Sequence, residues 1–177
     1  VEGNSLFRLK AGERLVGVEV EALYLSNVKN EIIRVVNGKR TKIATAQNKV
    51  EQLIATDNLN QYFMSGGSLV QLDSNGKMTV VNDGLSCGAS LALYPDHRLL
   101  ICNEPNTRWL LSYVVGEGGK PMAGQRFYWL HNTTGDDSQQ VGQMCFDENG
   151  NLYVATAMGV QVCDQNGRVR AILPLPD

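Results

Sequence analysis

Two stretches carry oxygen donors at close spacing: Asp147-Glu148-Asn149-Gly150-Asn151 and Asp164-Gln165-Asn166-Gly167-Arg168. Each looks like the first half of a calcium loop, which must close with a bidentate acid at its twelfth position. The twelfth residues are Met158 and Leu175, which cannot ligate a cation. Both stretches are therefore read as hairpin turns, in which Asn-Gly supplies the positive φ that a tight reversal needs. Gly116-Glu117-Gly118-Gly119-Lys120 has the glycine content of a phosphate loop but not its spacing, and strands flank it rather than a following helix. It too is read as a turn.

Only two histidines are present, His97 and His131. His97 lies in the polar turn Pro95-Asp96-His97-Arg98 and is expected to be exposed. His131 ends the aromatic run Arg126–His131 and leads into Asp136 and Asp137, so it and Asp137 are the candidates for acid–base work. A serine nucleophile would need a nucleophile elbow, and the sequence has none. The structural reading of the same residues is a solvated loop and a strand end. Cys87, Cys102, Cys145 and Cys163 include no C-x-x-C pair and have no histidine at ligand spacing, which argues against zinc. Cys102, Cys145 and Cys163 fall in apolar runs and are expected to be buried free thiols. Trp109, Tyr113, Phe127, Tyr128 and Trp129 are expected to pack inside the fold rather than form a sugar-stacking platform.

What must position these residues is a repeat. Apolar strand, polar turn and second strand recur around Asn37-Gly38, Asn75-Gly76, Gly116–Gly119 and Asn166-Gly167, and a further pair of strand-like runs precedes each hairpin. The stretch 48–58 has the only helix-like pattern, but it is short and β-branched and falls where the repeat requires a strand. The unit is thus four antiparallel strands repeating about every 40 residues, the period of a propeller blade. Units are placed near 13–48, 49–86, 88–140 and 142–177, within one domain or partial propeller spanning 1–177. A propeller is predicted over a β-sandwich because the four-strand period holds through successive units. Residues 5–12 are read as one more outer strand.

The stretches Phe146–Pro176, Leu93–Tyr113 and Glu21–Lys39 resemble blades of the gluconolactonase/regucalcin family, also called the senescence-marker-protein family. That resemblance implies a six-bladed propeller with a divalent metal on its axis, held by one Glu, one Asn and one Asp, and hydrolysis of sugar lactones or related esters. The metal would polarise the lactone carbonyl while a carboxylate helps activate water. With about four blades, the chain is expected to be a fragment or a shortened ring. In the family each metal ligand lies ten positions before the first residue of the second strand. In this sequence that count gives Glu13 before Leu23, Ala89 before Leu99 and Gly142 before Leu152. Ala89 and Gly142 have no side-chain donor, and their neighbours Gly88, Ser90, Val141 and Gln143 do not restore a carboxylate.

The expected protein is therefore a gluconolactonase-like propeller with a degraded metal site. It would bind a sugar or sugar-acid ligand, or a partner or flanking domain, through an axial pocket of Glu13, Gln52 and Gln143, with no cofactor. Two alternatives stand beside it. One is a lactone hydrolase with a site rebuilt from Glu13 and Asp137 and loaded with Ca²⁺, Mg²⁺ or Zn²⁺; the other is an interaction domain of a larger enzyme. The formal net charge of −2 is scattered along the chain, so no nucleic-acid or anionic-membrane partner is expected. No apolar run reaches the roughly 20 residues that span a bilayer, and no signal segment is visible, so a soluble protein of unassigned compartment is expected.

Overall fold

The computed structural model describes residues 8–19, 21–56, 60–85, 90–104, 106–132 and 141–175. Its strands form four sheets, each of four antiparallel strands in sequential order. Blade 1 holds β1 (Arg14–Val18), β2 (Leu23–Ser26), β3 (Glu31–Val36) and β4 (Lys39–Thr45). Blade 2 holds β5 (Val50–Ala55), β6 (Gln61–Ser65), β7 (Ser68–Leu72) and β8 (Met78–Asn82). Blade 3 holds β9 (Leu91–Leu93), β10 (Leu99–Asn103), β11 (Trp109–Val115) and β12 (Pro121–Trp129). Blade 4 holds β13 (Met144–Phe146), β14 (Leu152–Thr156), β15 (Gly159–Cys163) and β16 (Val169–Leu173). The inner strands meet in chain order, β1 against β5, β5 against β9 and β9 against β13. This is a β-propeller with four blades in the described residues.

Sequence periodicity explains why the sheets stack. A half-buried strand alternates apolar and polar residues, but Gln61–Ser65 is buried at every position. Its alternate side chains serve two different cores. Phe63, with Leu53, Val70 and Leu72, packs on Val16, Tyr24 and Ile32 of blade 1. Tyr62, Met64 and Leu69 pack on Leu91, Leu100, Cys102 and Tyr113 of blade 3. The next layer joins Ile101, Leu110 and Tyr128 to Met144, Leu152, Val154 and Cys163. Period two on a strand that is covered on both faces thus builds two interblade cores from one sheet. In every blade the pairing of the third and fourth strands contains a register shift. Bulges of this kind increase the local twist and blunt the outer edge.

The turns are as read from the sequence. Asp147 Oδ1 accepts the N–H groups of Asn149 and Asn151, at 2.9 Å and 2.8 Å. Asp164 does the same for Asn166 and Arg168, at 2.9 Å and 3.0 Å. Gly150 and Gly167 take φ of 79° and 76°, the left-handed conformation that glycine adopts without a steric penalty. Gly116–Lys120 closes the hairpin between β11 and β12, with a short 3-10 turn at Glu117–Gly119. The helix-like stretch contributes strand β5.

Three expectations are corrected. Residues 8–12 form no strand, only a turn at Ala11-Gly12. Cys145 is exposed, whereas Cys102 and Cys163 are buried. The reason is phase: Met144 takes the core-facing position on β13, so its neighbour Cys145 faces away. His97 is half-buried rather than exposed, with φ of 61° in the turn between β9 and β10. The aromatic expectation divides. Tyr113 and Tyr128 enter interblade cores. Trp109 and Trp129 instead pair edge to face at the outer edge of blade 3, centroids 4.5 Å apart, with the Arg108 guanidinium 4.3 Å from the Trp129 ring. Among the described residues no helix is long and apolar enough to cross a membrane.

Candidate functional site

The four inner strands line an open channel of about 560 Å³. Consecutive residues of each inner strand and its ends border it: Leu15 to Val18, Gln52 to Ala55, Leu91 to Tyr94 and Gln143 to Phe146. The wall is mostly apolar, with Leu15, Val18 and Phe146 among its residues. Its polar side chains are Gln52, Tyr94, His97, Gln143 and Cys145, and no Asp, Glu, Lys or Arg lines it among the described residues. Tyr94, His97 and Cys145 were not singled out for this place from the sequence. Their signal was position alone: each lies on an inner strand or on the turn that follows one.

Gln52 and Gln143 share the channel but stand in different states. The Gln52 amide donates to the Leu91 carbonyl at 3.1 Å and accepts from the Leu91 N–H at 2.7 Å and the Ser90 hydroxyl at 3.1 Å. It therefore joins β5 to β9 across blades 2 and 3. Gln143 is exposed, and its side-chain amide has no protein partner among the described residues. Its backbone carbonyl accepts the Ala155 N–H at 3.0 Å.

Glu13 precedes β1 and is not among the residues lining the channel. Its carboxylate accepts the Lys10 N–H at 2.7 Å and pairs with the Arg40 guanidinium on the outer strand β4. Burial pushes this carboxyl up, but the Lys10 N–H and the Arg40 guanidinium outweigh it and hold the group below its ordinary value. Gly142 is exposed immediately before β13, and its N–H donates to the Ala155 carbonyl at 2.8 Å. A Cβ at this position would stand 3.1 Å from the Ala155 Cβ. His131 is exposed, and its backbone is clamped by Gln161, which accepts from the His131 N–H and donates to the His131 carbonyl, both at 2.8 Å. Ala89, Asp136 and Asp137 lie outside the described residues. Among the described residues no three His, Cys, Asp or Glu side chains converge as a metal would require.

Residues 41–177 match the family model described as the SMP-30/Gluconolactonase/LRE-like region. The chain belongs to this family. No curated protein sequence matches it. Among solved structures, a luciferin-regenerating enzyme is similar at a TM-score of 0.70 and 16% identity, with 92% of this chain and 61% of that chain covered. A calcium-binding protein, regucalcin, from Agrobacterium tumefaciens str. C58 has a TM-score of 0.70 and 15% identity, covering 89% and 58%. Streptogramin B lyase has 0.67 and 14%, covering 94% and 55%. At these identities the likeness is one of fold, and the chain spans about three fifths of the first two relatives. The family's propeller is thus the scaffold on which Gln52, Gln143 and Glu13 are arranged.

Proposed function

We propose that this chain is a gluconolactonase-like propeller module that holds a small, hydroxyl-rich ligand of the sugar or sugar-acid class in its axial channel and does not turn over lactones. The observation that carries this reading is the pairing of Glu13 with Arg40. Metal-assisted lactone hydrolysis needs a cation held by several hard oxygen donors at the axis. Glu13 already has its charge matched by a guanidinium, and Gly142 has no side-chain donor. The donor set in the described residues does not fit a divalent cation, so no catalytic step is derived through one.

The channel supports binding in another way. A pocket with apolar walls and a few placed polar groups is the usual form of a small-molecule site. The Gln143 amide can both donate to and accept from a hydroxyl. Gln52 would act by holding the wall in place, and Glu13 by fixing the start of β1 at the channel mouth.

The test is a panel of sugar lactones followed by pH-stat, with and without Ca²⁺, Mg²⁺ or Zn²⁺, alongside calorimetric titration of the corresponding sugars and sugar acids. No turnover from folded protein, together with sugar binding that weakens in Gln143→Ala, is expected. Metal-dependent turnover that disappears in Glu13→Gln would restore the family hydrolase, with Glu13 and Asp137 as its acids.

A further inference from the structure

Blades 1 and 2 repeat one local design with one difference. In blade 2, Tyr62 on β6 stands opposite Gln71 on β7, and Tyr62 faces blade 3. The Tyr62 hydroxyl donates to the Gly119 carbonyl. Gln71 Nε2 donates to the Gly118 carbonyl at 3.2 Å and to Asn60 Oδ1 at 3.3 Å. The hairpin turn between the third and fourth strands of blade 3 is thereby fastened to blade 2.

Blade 1 has the same register. Tyr24 on β2 stands opposite Arg34 on β3, and Tyr24 faces blade 2. Arg34 thus occupies the place of Gln71, and the corresponding turn of the next blade is Asp73–Gly76. No such fastening forms. The Tyr24 hydroxyl donates instead to Glu19 Oε2 at 3.0 Å. Arg34 is half-buried and its guanidinium hydrogen-bonds the Tyr24 hydroxyl, but it makes no salt bridge among the described residues and its Nε is buried without an acceptor. Between Arg34 and the turn lies a cavity of about 350 Å³, bordered also by Ser74 and Asn75.

A guanidinium stays charged at any ordinary pH, and a covered N–H such as the Arg34 Nε costs free energy while it lacks an acceptor. We propose that the cavity between blades 1 and 2 binds a small oxyanion, a carboxylate or phosphate group, on Arg34. The planar fork of the guanidinium matches two oxygens of such a group. The Ser74 hydroxyl and the Asn75 amide supply further donors at the cavity wall. Asp73 also borders the cavity, but its Oδ1 is held on its own turn by the N–H groups of Asn75 and Lys77, each at 2.9 Å. This site is separate from the axial channel and does not depend on what the channel binds.

The experiment compares thermal midpoints in sodium phosphate, sodium acetate and sodium chloride at equal ionic strength, for the wild type, Arg34→Gln and Arg34→Met. A binder of the native state raises the midpoint with its concentration. A rise in phosphate or acetate relative to chloride is expected for the wild type and is expected to vanish in both variants. Phosphate alone or acetate alone identifies which oxyanion the site takes. No rise, or an equal rise in the variants, overturns the proposal. Should a variant fail to fold, the wild-type Arg34 Nε–H resonance is followed during a phosphate titration and an acetate titration. A saturable shift supports the site, and a resonance that neither anion moves rejects it.

Discussion

Gln52 and Gln143 are the same residue type on the same channel wall, yet only one has its hydrogen bonds completed by protein. Their substitution should separate the two roles. Gln52→Ala leaves the Leu91 N–H and carbonyl short of partners, which costs about 1–3 kcal/mol when such groups are buried. Gln143→Ala removes an exposed amide and is expected to stay within about 0.5 kcal/mol of wild type. Urea melts of both variants check this. Equal losses would mean that Gln143 also has a structural partner. Residue types at these positions were legible in the sequence, but their states were not. Leu91 is 39 positions from Gln52, and Arg40 is 27 positions from Glu13, so no local pattern announces either bond.

At the scale of the element, the Asp-x-Asn-Gly turns carry their own electrostatics. In the turn joining β13 to β14, the Asn151 side chain and N–H, with help from the Asn149 N–H and the Tyr153 hydroxyl, hold the Asp147 carboxyl below its ordinary value of 3.8. A group lowered on folding stabilises the native state above its unfolded pKa, and that contribution is lost as pH falls through the folded value. Asp147→Ala is therefore expected to lower the urea midpoint at pH 7, with the gap to wild type closing as pH drops below about 4. A gap that does not change with pH would assign the loss to turn geometry rather than to the charge. These turns were readable in advance because an Asx side chain bonds its own backbone two and four residues on, a strictly local interaction. The short outer strand expected over residues 5–12 did not appear in 8–12, because strand formation needs a neighbour to pair with and local apolarity does not supply one.

For the whole molecule, the blades act as covers for one another, and thiol chemistry reports the coverage. Burial pushes the thiols of Cys102 and Cys163 up to about 12, so they remain protonated and shielded near neutral pH. Cys145 stands exposed on the channel wall. A thiol reagent followed by peptide mass mapping is expected to label Cys145 in the native protein, and Cys102 and Cys163 only after denaturation. Native labelling of Cys102 or Cys163 would show that blade 3 is not sealed against its neighbours in solution.

The four-strand period, the hairpin turns and the family were determined by the sequence alone. Each rests on contacts a few residues apart or on a pattern repeated along the chain: alternation in strands, Asn-Gly in reversals, a period of about 40 residues. The position-by-position count to Glu13, Ala89 and Gly142 is what the family resemblance implies when laid over that repeat. What only the tertiary structure decided is where each polar side chain spends its hydrogen bonds. Stacking the sheets places Arg40 on Glu13 and Leu91 on Gln52, and leaves the Arg34 Nε–H without an acceptor among the described residues. Those outcomes depend on which blade meets which turn in space, and hydrogen bonds across that gap are set by distances of a few tenths of an ångström that no spacing in the chain encodes.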